Sequence, residues 1–246
     1  MFSFLKKKTP LTELFPADFV DIHSHFLPNI DDGSKSMDES VAMLRRMHDY
    51  GIKQIICTPH VMESVWENTS ETIQKKLNAL NAHLKSIGFT DISIRAAAEY
   101  MLDANFDHLL KTEKLRTIKD NYILVELSFL QAPVNLYETL FNIQIAGYKP
   151  VMAHPERYSY YHNDFSAYQK LKDAGCLFQL NLLSLSNYYG SAVTATSLQL
   201  LKHQLIDFAG TDTHKHRHLD FLEKIDNAKT MKLIEPVLYA NSFFRE

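Results

Sequence analysis

The stretch Phe19-Val20-Asp21-Ile22-His23-Ser24-His25 decides how this chain is read. Its first four residues are mostly apolar and have strand character. The next three place two imidazoles at positions i and i+2. On extended backbone, residues two apart face the same way, so both rings can grip one ion. A lone His-x-His says little. Its weight depends on the residues at the ends of the other apolar runs.

Six more such runs recur, at residues 54–57, 92–96, 122–125, 150–153, 176–180 and 206–209. Amphipathic stretches separate them. Ser36-x-x-Glu39 has the form of a capping box, and Val41, Leu44 and Met47 follow on one helical face up to Gly51. Ile73, Leu77, Leu80, Leu84 and Ile87 repeat the pattern before Gly88, as do Leu136, Leu140 and Ile143 before Gly147. Shorter helices are expected near 106–110, 168–174 and 198–203, and in the tail after Leu219. Strands alternating with helices imply parallel β/α units. Residues 1–18 read as an N-terminal extension and 19–246 as a single domain.

The polar residues after each run choose between a doubly wound sheet and a barrel. His23, His25, Asp31 and Asp32 follow the first run, His60 the second and Glu99 the third. Glu126 closes the fourth, His154 follows the fifth, and Asp212 and His214 follow the seventh. Only the sixth, ending near Asn181, lacks an evident ligand. An open sheet would spread these groups along an edge, whereas a barrel gathers its strand C-termini at one mouth. We therefore expect an α/β fold, a TIM-like barrel of seven β/α units, with enough ligands for two or three ions. Imidazole and carboxylate donors without sulfur suit Mn, Fe, Co or Zn better than Mg. His48, His83, His108 and His203 lie within helical stretches and read as packing or surface histidines.

Arg157 stands three residues beyond His154, close enough to aim its planar fork at a bound phosphate. Arg217, in the last loop, is a second candidate for the same task. Other nucleophiles are missing. A cysteine phosphatase needs Cys-x5-Arg, but Glu63 and Leu182 stand six residues after Cys57 and Cys176. No Gly-x-Ser-x-Gly, Walker loop or Gly-x-Gly-x-x-Gly occurs. Hydrolysis by a metal-bound water is what remains.

Composition agrees. Hydrophobic residues make up 46% and charged residues 22%, ordinary for a globular chain. A net charge of −3 argues against a nucleic-acid partner. Two distant cysteines fit a reducing cytoplasm. The start, with Phe2, Phe4 and Leu5 beside Lys6, Lys7 and Lys8, lacks the order of a secretory signal. It offers at most a peripheral membrane contact.

Taken together, Asp21-Ile-His-Ser-His25, Asp31-Asp-Gly-Ser-Lys-Ser36, Thr58-Pro-His60, Ala98-Glu-Tyr100, Val125-Glu-Leu127, Ala153-His-Pro-Glu-Arg-Tyr158 and Gly210-Thr-Asp-Thr-His214 resemble the PHP (polymerase and histidinol phosphatase) superfamily. The match is closest to the bacterial PHP-type protein-tyrosine phosphatases of capsular and exopolysaccharide loci. The resemblance implies a distorted (β/α)7 barrel, the PHP fold, with three divalent ions, manganese foremost. It implies one ion on His23, His25, Glu99 and Asp212; a second on Glu99, Glu126 and His154; a third on Asp32, His60 and His214. Motif alignment prefers Asp32 to Asp31, a choice that periodicity leaves open. Arg157 matches the family's phosphate-binding arginine, whereas Lys215-His-Arg-His218 departs from the spacing of a second one. The substrate implied is a phosphotyrosine-rich tail of a bacterial tyrosine kinase controlling polysaccharide export. Phe26, Trp66, Tyr158, Tyr160 and Tyr161 are expected at the mouth. A small-molecule phosphatase such as histidinol phosphatase, and a PHP-type phosphodiesterase or nuclease, are the alternatives.

Overall fold

Each expected run becomes a strand, but two of the seven are broken. In the computed structural model, which describes residues 9–246, the order is β1 (Val20–Asp21), α1 (Met37–Asp49), β2 (Gln54–Cys57), β3 (His60–Val61), α2 (Ser70–Ser86), β4 (Ser93–Ala96), β5 (Glu99–Met101), α3 (Ala104–Thr112), β6 (Tyr122–Glu126), α4 (Leu136–Ile145), β7 (Lys149–Ala153), α5 (Phe165–Asp173), β8 (Leu177–Asn181), α6 (Ser191–Lys202), β9 (Phe208–Gly210), α7 (His216–Leu222) and α8 (Ala228–Ala240). All strand pairs are parallel: β1-β2-β4 form one sheet and β3-β5-β6-β7-β8-β9 another.

The break between β2 and β3 falls at Thr58-Pro59. Proline has no N–H to donate across a ladder, so regular pairing lapses there. Single bonds bridge the gap: Ala97 N–H donates to the Cys57 carbonyl at 2.8 Å and Glu99 N–H to that of Pro59 at 3.0 Å. β2 and β3 thus form one stave, and β4 and β5 another. The circuit closes between β1 and β9, where Asp212 N–H donates to the His23 carbonyl at 2.7 Å and His25 N–H to that of Thr213 at 3.0 Å. Seven staves make a distorted barrel, as expected.

Period-two alternation fills the barrel in layers. Val20, Ile22, Ile56, Ala97, Leu124, Val151 and Ala153 pack together inside, with Tyr122, Leu177 and Phe208 below them and Phe244 plugging the base. Two residues beyond Ala97 and Leu124, on the same inward face, come Glu99 and Glu126. These two ligands are the mouth-side continuation of core-facing columns, whereas the other ligands, His60 in β3 apart, stand on the turns that follow the strands. A second apolar layer, from Leu11 to Leu238, fills the space between strands and helices.

Ser36 caps α1 by accepting from Glu39 N–H. The Glu39 carboxylate accepts from Lys35 N–H rather than the cap residue, so the box is shifted by one residue. Leu11, within the segment read as an extension, is buried and donates its N–H to the Ile225 carbonyl at 2.7 Å. The membrane-contacting side chains expected at residues 2–8 lie outside the described residues. Among the described residues, no helix is long and apolar enough to cross a membrane.

Candidate metal centre

The nine expected ligands converge at the barrel mouth in four overlapping groups: His25, Asp32, His60 and His214; His23, His154 and Asp212; His23, His25 and Glu99; His60, Glu99 and Glu126. Within each group the donor atoms lie within 4.8 Å of one another.

Two ligands sit on left-handed backbone, His154 at φ 36° and Asp212 at φ 49°. Such conformations cost a non-glycine residue about 1–3 kcal/mol and collect at functional sites. Two glycines allow the close approach. A Cβ on Gly33 would lie 2.3 Å from the His25 carbonyl oxygen, and one on Gly210 would lie 2.6 Å from the His23 Cβ.

Hydrogen bonds fix the ring states. His23 Nδ1 lies 2.8 Å from Gln179 Oε1, and Gln179 Nε2 is already committed to the Leu180 carbonyl. His23 Nδ1 therefore donates. His25 Nδ1 likewise donates to Asp31 Oδ2 at 2.8 Å. In the neutral rings both Nε2 atoms then carry bare lone pairs, yet they face each other at 3.3 Å. Glu99 Oε2 stands 3.1 Å from one and 3.4 Å from the other. Only a cation or shared protons can satisfy such a convergence. His60 Nδ1 makes the same point. It lies 3.1 Å from both Glu99 Oε2 and Glu126 Oε1, aligned for a hydrogen bond to neither. Buried His60 Nδ1, Glu126 Oε1 and His154 Nδ1 have no hydrogen-bond partner among the described residues. The donor set fits divalent ions.

Electrostatics agrees. Burial alone would lower the His25 pKa, but Asp31, Asp212 and Glu99 outweigh it and raise it well above the ordinary imidazole value. Burial and Glu99 raise the Glu126 carboxyl, whereas His23 and His60 outweigh burial and hold Glu99 well down. A cation would relieve the Glu99–Glu126 repulsion.

The structure separates the two aspartates. Asp32 Oδ1 faces the pocket, 3.4 Å from His60 Nε2 and 3.3 Å from His214 Nε2. Asp31 is buried behind His25, where it also accepts from the Gly33 and His60 N–H groups.

Arg157 stands at the rim, its side chain 21% exposed, and donates from Nη1 to Asp212 Oδ2 at 3.0 Å. Arg217 is not among the residues that line the pocket; its guanidinium carbon lies 5.8 Å from the Tyr188 ring centre and 5.7 Å from that of Phe221. The space above the ligands, about 250 Å³, is walled by Phe129, Arg157, Tyr188, Tyr189, Lys215 and His218. Larger clefts elsewhere, such as the 710 Å³ groove beside Met62 and Leu130, hold no comparable donor set among the described residues.

The expected aromatic rim needs correction. Phe26 and Tyr158 are fully buried, and Tyr158 is tied down by its bonds to Leu127 N–H and the Ala153 carbonyl. Tyr160 stacks on Tyr158, Trp66 and Tyr161 do not line the pocket either, and Phe129, Tyr188 and Tyr189 are the aromatics that do. Sequence reading also missed Gln179 and Asn181. Asn181 Nδ2 donates to Asp212 Oδ2 at 2.7 Å. The alternation Leu177, Gln179, Asn181 was the available signal, because it aims both amides into the barrel. Glu156, equally unforeseen, is fully buried and accepts from Asn181 N–H and Ser184 Oγ; burial pushes its carboxyl up to about 7. Both thiols are buried, which pushes each up to about 12 and leaves no thiolate.

Residues 19–231 match the CpsB/CapC family of capsular polysaccharide synthesis. The chain belongs to that family. Within it, the chain is 30% identical over 203 residues to the tyrosine-protein phosphatase YwqE of Bacillus subtilis, covering 82% of this chain and 80% of YwqE. Its fold is similar to a solved structure described among YwqE from Bacillus subtilis and CpsB from Streptococcus pneumoniae, "unique metal-dependent tyrosine phosphatases". That likeness has a TM-score of 0.79 at 27% identity, covering 89% of this chain and 90% of the other. A histidinol phosphate phosphatase from Lactococcus lactis shares the fold more loosely, with a TM-score of 0.53 at 14% identity over 89% of this chain and 94% of the other.

Proposed function

We propose that the nine clustered side chains hold three divalent ions, manganese foremost, in the service of phosphotyrosine hydrolysis. One ion would rest on His23, His25, Glu99 and Asp212, the next on Glu99, Glu126 and His154, and the last on Asp32, His60 and His214. As a member of the CpsB/CapC family, the chain is a metal-dependent tyrosine-protein phosphatase. The observation that carries the site assignment is the pair of bare Nε2 atoms of His23 and His25, facing each other at 3.3 Å against Glu99.

When bound, such ions supply an acidified water and a positive field for phosphoryl oxygens. The chain's own residues do the rest. Asp31 and Gln179 hold the Nδ1 protons of His25 and His23, which keeps both Nε2 atoms turned to the centre. Arg157 reaches over the cluster to bind phosphoryl oxygens, and its pairing with Asp212 sets its height above the floor. Its charge counts for most in the transition state. His218 lines the pocket as a neutral ring, because burial lowers its pKa to about 4. The protein substrate we infer is the phosphotyrosine tail of a cytoplasmic tyrosine kinase acting in capsule synthesis.

The test is hydrolysis of a phosphotyrosyl peptide, with histidinol phosphate as comparison, by metal-loaded and chelated protein. Chelation should abolish peptide turnover and manganese should restore it. Arg157→Ala should keep its metal and lose about 10²–10³-fold in turnover. Full activity after chelation overturns the metal reading; normal turnover by Arg157→Ala removes only the phosphate clamp.

A further inference from the structure

The pocket wall facing Arg157 holds a second hydrogen-bond donor with no part in holding metal. Asn181 Oδ1 accepts from Leu183 N–H at 2.9 Å, and its Nδ2 donates to the Asp212 carboxylate. These two bonds fix which way round the amide sits, since neither partner tolerates the flipped form. The same Nδ2 lies 3.2 Å from the Tyr189 hydroxyl oxygen. Tyr189 therefore accepts there. Its own hydroxyl proton has no acceptor among the described residues, and the residue lines the pocket.

Arg157 is in the same condition. Nη1 is spent on Asp212, and no other guanidinium N–H has a partner among the described residues. Its carbon lies 4.2 Å from the Tyr189 ring centre and 4.6 Å from that of Phe129. Two aromatic rings at this range attract the cation and limit its swing. Tyr189 thus meets Arg157 twice, by its ring and across the Asp212–Asn181 hydrogen bonds.

Unpartnered donors gathered on one pocket wall, above ligands for cations, make a receptor for an oxyanion. We propose that Tyr189 contacts the substrate: its hydroxyl donates to a phosphoryl oxygen while its ring, with Phe129, brackets the Arg157 guanidinium. The ligand class is a tetrahedral phosphate, whether a monoester or the released inorganic ion. This rests on the phosphatase reading, but its own failure can be told apart.

The experiment compares wild type, Tyr189→Phe and Tyr189→Leu for three readouts: metal content, melting temperature, and inhibition of phosphotyrosyl-peptide turnover by inorganic phosphate. Tyr189→Phe keeps the ring and loses the hydroxyl. It should raise the phosphate inhibition constant about tenfold, with metal content and melting temperature unchanged. Tyr189→Leu also loses the bracket and should weaken phosphate further. A phosphate constant within twofold of wild type in Tyr189→Phe overturns the proposal, as does a weakening that appears only together with loss of metal. Inactive wild type loaded with manganese would instead overturn the phosphatase reading.

Discussion

The two ends of the barrel treat buried polar groups in opposite ways. At the base, Asn241 sits across the β1–β9 seam. Its Nδ2 donates to the Val20 carbonyl at 2.8 Å and the Ala209 carbonyl at 2.6 Å, and its Oδ1 accepts from Ala209 N–H at 2.9 Å. Arg95 donates there to the Ile118 and Phe244 carbonyls. Asn241 and Arg95 are thus paired, and Phe244 closes the end. At the mouth, by contrast, His60, Glu126 and His154 each keep a buried atom with no partner among the described residues, and two ligands sit on left-handed backbone. A base arranged this way stabilises the fold. A mouth arranged this way is unsatisfied by protein alone, and the missing partner is a cation.

That contrast can be broken from either end. The largest expected effect is at the mouth: His23→Ala should reduce peptide turnover to the level of chelated protein, with the loss of bound metal measured directly. Retention of full metal content and turnover would remove His23 from the centre. At the base, Phe244→Ala should destabilise the fold by about 3–5 kcal/mol in denaturant titrations. The folded fraction should keep its turnover, and a loss of activity in fully folded protein would show that the two ends are not independent. The smallest effect sharpens the boundary. Gln179→Leu removes the acceptor that holds His23 Nδ1, so metal affinity should fall about 10–100-fold with little change in stability. Unchanged affinity would mean that His23 is oriented by packing alone.

Much of this was legible in the chain because the barrel obeys local rules. The apolar runs, the helix-ending glycines and the position of His, Asp and Glu after each run are properties of neighbours in sequence. The barrel class was accessible for the same reason, whereas the likeness to PHP-type phosphatases of capsular loci came from resemblance of the motifs. Alternation at Gln179 and Asn181 was equally local, but amides carry no charge to draw notice. The mouth aromatics were not accessible. Tyr158 follows Arg157 directly and looked like rim, yet its hydroxyl is held inside by bonds to Ala153, at the end of its own stave, and to Leu127, just beyond the neighbouring β6.

By itself, then, the sequence determined the number of staves, the candidate ligands and the arginine proposed to hold phosphate. Tertiary structure decided which aspartate faces the pocket, which rings bracket Arg157, and that Glu99 stands at the centre of the cluster. The reason is physical. Periodicity dictates which face of a strand a residue occupies, whereas a cation site depends on where lone pairs from separate staves meet. Glu99 reaches His23, His25, His60 and His154 only because the barrel closes.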